Sequence, residues 1–189
     1  MELSEIRKKL QENSTEKSRK SWKKFTPTAE KVYGCTVPII TGICKKIINP
    51  TFDLTRELWQ GEYVEEKILA AKILNKIGKN DPQRTIELLE KFSKTISDWA
   101  VCDTLAMQGV NKISKIKQKE IFNLSRRLIK SRNLWQRRFG LVLLVNYVKE
   151  KELKKDIEEI IKMVQNDNKY YVKKAIIWLK TQISKYNEC

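Results

Sequence analysis

The stretch from Ile68 to Ile77 reads I-L-A-A-K-I-L-N-K-I, and its apolar residues recur at the spacing of a helix face. A second stretch, I-E-E-I-I-K-M-V from Ile157 to Val164, shows the same periodicity. Strand signals are weak, because the chain has only 6 glycines and 4 prolines and no Asn-Gly or Asp-Gly pair for a tight hairpin. The sequence therefore predicts an all-α protein.

Aromatic residues return along the chain at a fixed period. Tyr63, Trp99, Trp135 and Tyr171 follow one another at intervals of 36 residues. We expect each of them to open a helix, and an apolar-periodic segment such as Thr85–Ser93 precedes each of these helices. The period therefore predicts a repeated pair of helices, slightly shorter than a typical HEAT unit.

The repeat also predicts which positions are buried. Stacked helix pairs bury their apolar faces against one another and form a curved rod with a concave face. Six residues after each aromatic, an apolar residue is expected in the core: Leu69, Leu105, Leu141 and Ile177. Positions 0, +3 and +4 mix aromatic and charged residues, which is typical of a half-exposed inner face. They are Tyr63, Glu66 and Lys67; Trp99, Cys102 and Asp103; Trp135, Arg138 and Phe139; and Tyr171, Lys174 and Ala175.

The predicted fold is thus an α-solenoid of HEAT-like helix pairs with a concave basic face, and we expect a single domain over residues 1–189. Residues 1–32 are polar and lysine-rich, and we expect them to form N-terminal capping helices. Residues 33–189 would carry the helix pairs. The segment Y-G-C-T-V-P, Tyr33 to Pro38, holds Gly and Pro and is typical of a connector into a helix over Ile39–Ile48.

The charge of the chain indicates a polyanionic partner. Its 39 Lys and Arg residues against 23 Asp and Glu give a formal charge of +16 and a pI of about 9.7. Such a field attracts nucleic acids, although a lysine-rich solvated surface without a partner is the alternative. The chain has no histidine, so the usual general base and the commonest metal ligand are both missing.

The cysteines and the N-terminus bear on the compartment and on cofactors. Cys35, Cys44, Cys102 and Cys189 show no C-x-x-C spacing, which argues against a zinc or redox motif. The charged N-terminus M-E-L-S-E-I-R-K-K-L is unlike a signal peptide, and no apolar run reaches the ~18 residues of a membrane helix. We predict a cytoplasmic monomer with no cofactor, no metal and no membrane contact.

One group of residues on the predicted inner face has the composition of a nucleic-acid site. In S-D-W-A-V-C-D-T-L-A-M-Q-G, residues 97–109, Trp99 and Asp103 are four residues apart and share a helix face. Cations and aromatics interleaved in this way can hold a phosphate backbone and contact sugars or bases. The remaining members are Arg137, Arg138, Tyr170, Tyr171, Lys173, Lys174 and Trp178.

Each of these residues also has a structural alternative. Trp135, and equally Trp99 and Trp178 taken alone, fit packing between helices. Asp103 could serve as an internal hydrogen-bond acceptor or pair with Arg138. An aspartate inside a helix is a poor helix former and is costly to bury unpaired, so it calls for either a partner or a function.

Three motifs and an N-terminal segment carry a resemblance to a known family. D-W-A-V-C-D (Asp98 to Asp103), L-W-Q-R-R (Leu134 to Arg138) and Y-Y-V-K-K-A-I-I-W (Tyr170 to Trp178) resemble the motifs of the AlkD-like HEAT-repeat DNA alkylation repair glycosylases. F-T-P-T-A-E-K-V-Y-G-C-T-V-P, Phe25 to Pro38, is similar to the segment that leads into that family's repeats. The resemblance covers roughly residues 24 to 186, and the three motifs occur in order with matching separations.

The resemblance implies a DNA repair hydrolase. Such enzymes cleave the N-glycosidic bond of N3- or N7-alkylated purines in double-stranded DNA, held on the concave face without flipping the lesion into a deep pocket. By this resemblance Asp103 is the carboxylate near the sugar, and Trp99 and Trp178 pack against the deoxyribose. Arg138 would contact the backbone beside the lesion.

Two other functions remain open at this stage. The family often has an arginine where this chain has Thr41, which leaves room for a paralogue that binds DNA without excision. Helical repeats also bind proteins, so a protein-interaction solenoid is the third possibility.

Overall fold

The structure is a computed structural model and describes residues 1–29 and 31–186. The described chain is helical, and its pairing between extended segments is limited to an isolated bridge from Lys31 to Tyr63. In order, the α-helices are α1 Leu3–Glu12, α2 Glu16–Phe25, α3 Val37–Lys46, α4 Phe52–Trp59, α5 Val64–Ile77, α6 Pro82–Ser93, α7 Trp99–Thr104, α8 Gln118–Leu128, α9 Leu134–Leu143, α10 Lys154–Val164 and α11 Tyr170–Lys185. The predicted all-α class is confirmed. Among these helices, none has both the length and the apolar character needed to cross a bilayer.

The 36-residue period marks the starts of helices, as predicted. Tyr63 is the N-terminal cap of α5 and Trp99 is the first residue of α7. Trp135 and Tyr171 are each the second residue of their helices, α9 and α11. In two cases the preceding helix packs against the helix that the aromatic opens: α4 contacts α5, and α8 contacts α9. Two of the four predicted helix pairs, α4 with α5 and α8 with α9, are therefore packed together in the described chain.

The chain forms two compact units. The first contains Met1–Asp81 and Ser97–Lys112, and the second contains Pro82–Ile96 and the chain from Ile113 onward. In the first unit, α5 packs against α3, α4 and α7, and the apolar side chains that it buries include Ile68 and Leu74. In the second unit, α9 lies against α6, α8 and α11.

The predicted core positions are buried in three of four cases. Leu69, Leu105 and Leu141 are fully buried, whereas Ile177 on α11 is 60% exposed. The prediction for Ile177 was wrong because α11 buries a different face, formed by Val172, Ala175, Ile176, Leu179 and Ile183. Ile177 and Tyr170 lie beside that face and are exposed to solvent.

The N-terminal segment is held to α5 by a buried carboxylate. The N-terminal segment contains two helices, α1 and α2, and the connector follows them. Glu65 of α5 is fully buried and accepts hydrogen bonds from three successive main-chain N–H groups, those of Tyr33, Gly34 and Cys35, at 2.7–3.1 Å. The turn needs glycine at position 34, where φ is +103° and a Cβ atom would lie 2.7 Å from the Thr15 carbonyl oxygen.

A second carboxylate of α5, that of Glu66, also binds the N-terminal segment. Glu66 is 1% exposed and accepts hydrogen bonds from the Arg7 guanidinium at 3.0 and 3.3 Å and from the Tyr33 hydroxyl at 2.7 Å. The pKa of Arg7 is raised by its hydrogen bond to Glu66. Burial and the bond to Glu66 raise the pKa of Tyr33, whose ring stacks on Tyr63 with centroids 3.8 Å apart. The inner-face prediction was wrong for Glu66, because these partners allow a charged group to be buried.

Replacing Glu65 by alanine should destabilise the first unit strongly. Three buried N–H groups would lose their acceptor, and each unsatisfied buried group costs about 1–3 kcal/mol. We expect a loss of about 3 kcal/mol or more in the free energy of unfolding, or roughly 6–12 °C in Tm for a chain of this size. The control is Glu57→Ala on the exposed side of α4, followed by the same thermal unfolding. Equal Tm values for the two variants would contradict the role given to Glu65.

Candidate functional site

The helix that carries Trp99 and Asp103 begins with a strong N-terminal cap. The Asp98 carboxylate accepts hydrogen bonds from the N–H groups of Ala100 at 2.7 Å and Val101 at 3.0 Å. Asp98 is fully buried, and burial raises its pKa, against the opposing effect of the two N–H groups and of Lys67. Asp103 adds to that increase by charge repulsion, so the two carboxylates are electrostatically coupled. The cap fixes the first turn of α7, which begins at Trp99 and leads directly into Asp103.

Trp99 is held in place by the N-terminal segment. Its indole N–H donates to the carbonyl oxygen of Phe25 at 2.6 Å, 74 residues earlier in the chain. The ring is half-buried, and Asp103, one helical turn further on, is half-buried as well. These two residues therefore combine an immobilised aromatic ring with an accessible carboxylate.

The backbone changes directly after Asp103 and Thr104. The helix continues from Leu105 to Gly109 as a five-residue π-helical turn. Such turns are rare in proteins, and those that occur are often found at functional sites. Leu105, Ala106 and Gly109 are buried, so the turn packs into the unit while Met107 and Gln108 face outward. Cys102 is also fully buried, as expected for a small apolar residue, which corrects its place in the predicted half-exposed face.

The first unit also buries a lysine close to these carboxylates. Lys67 of α5 is 7% exposed and acts on Asp98 electrostatically. The half-exposed position predicted for Lys67 was therefore wrong. The residue is buried on α5, which packs against α7. Periodicity gives no signal of this kind, because Lys67 gains its partners only when α5 and α7 pack together.

In the second unit, the side chain of Arg138 on α9 reaches the start of α11. The side chain is 6% exposed and donates from Nη1 to the carbonyl oxygen of Tyr171 at 2.7 Å. The Tyr171 ring packs on Trp135 with centroids 4.7 Å apart, and Trp135 is 9% exposed. Trp135 thus belongs to the packing between α9 and α11. Arg138, Phe139 and Ala175 are buried as well, so the half-exposed face predicted for these four positions was wrong.

Arg137 is engaged within the second unit. Its guanidinium donates twice to the Asp167 carboxylate and also to the carbonyl oxygens of Ser131 and Arg132. Burial tends to raise the pKa of Asp167, but the hydrogen bonds from Arg137 and Lys169 and the charge of Arg137 lower it below its usual value. Asp167 also accepts from the Lys169 N–H just before α11. Arg137 therefore supports the start of α11, and its contact with a DNA phosphate stays a prediction.

The remaining predicted residues lie on the solvent-facing part of α11. Tyr170 is 64% exposed, and the Lys174 ammonium lies 5.6 Å from the centroid of its ring. Lys173 and Lys174 are exposed, and Trp178 is half-buried. Tyr170 meets Tyr171 edge to face at 5.1 Å. This side of α11 therefore presents aromatic rings and two ammonium groups together, the combination that suits a nucleic-acid strand.

A family comparison decides the class of the protein. A model of the DNA alkylation repair enzyme family matches residues 6–189. The chain belongs to that family. As a DNA alkylation repair protein it has a role in DNA repair, and the family name implies enzymatic action on DNA. No curated protein matches the chain.

The fold of this DNA alkylation repair protein is also found among solved structures. A predicted DNA alkylation repair enzyme from Enterococcus faecalis is similar to it, with a TM-score of 0.79 and 16% sequence identity. The match covers 93% of this chain and 85% of that chain. At this identity the likeness shows a shared fold, which is the fold class expected from the sequence.

Sequence reasoning did not identify several residues that support the site. Asp98 caps α7, and an aspartate immediately before an apolar helix is a recognisable capping signal in sequence. Glu65 gave no such signal, because its three partners lie about 30 residues away. Among the described residues, no group of three or more Cys, Asp or Glu side chains is arranged to hold a metal ion.

Proposed function

We propose that this protein is a DNA glycosylase that hydrolyses the N-glycosidic bond of cationic N3- or N7-alkylated purines in double-stranded DNA. The main support is the short helix α7, where Asp103 follows the anchored Trp99 ring by one helical turn. Family membership supports a repair role for that arrangement. We further propose that the lesion is not flipped into a deep pocket.

The chemistry of such a substrate fits the residues of the chain. An alkylated purine already carries a positive charge, so it departs without being protonated by the enzyme. The bond breaks with its electron pair going to the purine, and positive charge develops on the deoxyribose. A carboxylate and an aromatic face stabilise that charge by Coulomb and cation–π interactions, and neither requires a histidine.

Each proposed residue then has one role. Asp103 lies near the sugar and orients the water that adds to its anomeric carbon, while Trp99 and Trp178 pack against the deoxyribose. Arg138, fixed by its bond to the Tyr171 carbonyl, contacts the backbone beside the lesion. The exposed residues Tyr170, Lys173 and Lys174 and the half-buried Tyr171 contact the DNA strand.

The decisive experiment is chromatography of the bases released from a methylated DNA duplex. Wild-type protein should release 7-methylguanine and 3-methyladenine and leave unmodified guanine in place. Absence of released base would end the glycosylase proposal. If the protein bound the duplex under the same conditions, it would be a DNA-binding relative without excision.

The Trp178→Ala variant should show a moderate loss of activity. Removing a ring that packs on a cationic sugar costs about 1–2 kcal/mol, or roughly 5- to 30-fold in kcat/KM. The matched control is Ile177→Ala, which truncates the neighbouring exposed side chain on the same helix. Trp178→Phe should recover part of the loss because it keeps an aromatic face. Equal rates for Trp178→Ala and Ile177→Ala would exclude Trp178 from the site.

A further inference from the structure

A cavity of about 310 Å³ opens on the first unit next to Trp99. The residues that line it include Ser18, Ser21, Trp22, Phe25, Val37 and Trp99. They come from α2, from the start of α3 and from the first residue of α7. The volume is at the lower end of the range for small-ligand pockets, which suits one ring system.

The two indoles offer this cavity mainly carbon surface. The N–H of Trp22 donates to the Cys35 carbonyl oxygen, and that of Trp99 donates to the Phe25 carbonyl oxygen, both at 2.6 Å. Both rings are therefore oriented by the main chain. The Phe25 ring is 61% exposed and Val37 is 44% exposed. A rigid aromatic lining with apolar residues open to solvent favours a flat, unsaturated ligand.

The charges around the cavity favour a ligand that also carries phosphate. Lys24 lies in the last turn of α2, and its ammonium is 5.8 Å from the centroid of the Phe25 ring, which lines the cavity. Helix α3 begins at Val37, which lines the cavity, so the positive end of its dipole adds to the positive potential there. A planar ring attached to a phosphodiester chain meets both requirements.

We propose that this cavity binds a nucleobase that has lost its pairing partner, stacked on the aromatic lining while the Lys24 side chain holds the adjoining phosphate. The inference rests on the proposed function only in taking DNA as the ligand. It adds a base-binding site on α2 and α3 that shares the Trp99 ring with the proposed catalytic site. The protein then recognises disrupted pairing as well as the charge of a lesion.

The test compares two short duplexes that contain no alkylated base and differ by one unpaired adenine in one strand. Wild-type protein should bind the duplex with the unpaired adenine about 5- to 150-fold more tightly, the range for stacking one base on aromatic side chains. Affinities are measured by fluorescence anisotropy at one fixed salt concentration. Equal affinity for the two duplexes overturns the proposal.

Two variants and a control locate the effect in the cavity. Ser21→Trp fills the cavity, and Phe25→Ala removes an aromatic wall while keeping the main-chain carbonyl that Trp99 uses. Both should lose the preference for the unpaired base, whereas Ile48→Ala, which truncates another exposed apolar residue of the same unit, should keep it. If both cavity variants retain the preference, the base binds elsewhere and the proposal fails. Base release from methylated DNA tests the glycosylase separately, so either proposal can fail alone.

Discussion

The Asp103→Asn variant should release 7-methylguanine about 10²–10³ times more slowly than the wild-type protein. The amide keeps the size of the side chain but removes the negative charge that faces the developing cation on the sugar. Loss of one preorganised electrostatic group costs about 3–4 kcal/mol in the barrier. Single-turnover base release with protein in excess measures the chemical step directly.

Two measurements separate this effect from weaker binding or a damaged fold. Asp53→Asn on α4 makes the same change in net charge at an exposed position and should leave the rate unchanged. The affinity of Asp103→Asn for DNA should equal or exceed that of the wild type, because a negative charge has been removed. Equal rates for Asp103→Asn and wild type would remove this carboxylate from the mechanism.

Affinity for undamaged duplex should fall by roughly 10³ between 50 and 200 mM salt. Binding through several phosphates releases condensed counterions, and the logarithm of the affinity then falls linearly with the logarithm of the salt concentration. The formal charge of +16 and the exposed Lys173 and Lys174 support contacts of this kind. Anisotropy titrations at four or five salt concentrations give the slope.

Single lysine variants show whether α11 supplies those contacts. Lys173→Gln and Lys174→Gln should each reduce the magnitude of the slope by about one, the loss of one phosphate contact. Lys91→Gln on the exposed side of α6 should leave the slope unchanged. An affinity for duplex that hardly depends on salt would instead favour a solenoid that binds other proteins.

The helices and their order could be predicted because the signals are local. Each aromatic of the 36-residue period stands within the first turn of a helix or at its cap, and the apolar runs Ile68–Ile77 and Ile157–Val164 fall inside α5 and α10. Helical periodicity depends only on neighbours three or four residues away, which a single sequence displays.

The burial of charged residues could not be predicted in the same way. Glu66 and Lys67 were expected on a half-exposed face, yet both are buried. The partners of Glu66 are Arg7 and Tyr33, which lie 59 and 33 residues away along the chain. No short-range pattern encodes such pairs, because they exist only after distant helices pack.

The candidate site was predicted in part by residue type. The resemblance named Trp99 and Asp103, and the structure shows that they occupy one short helix with a capped start. The sequence did not show that Arg137 would form an ion pair with Asp167, because the order of charges along the chain does not reveal which cations have internal partners. The roles of the named residues in catalysis and DNA binding stay predictions.

The hydrogen bond from the Trp99 indole to the Phe25 carbonyl oxygen limits how this protein can evolve. The ring that we place against the sugar takes its orientation from the main chain at the end of α2, far away in sequence. Mutations that shift that backbone would therefore be selected against as if they lay beside the lesion, even when the side chains themselves change freely. Natural drift in the N-terminal helices should accordingly preserve the path of the chain more strictly than the identity of its residues.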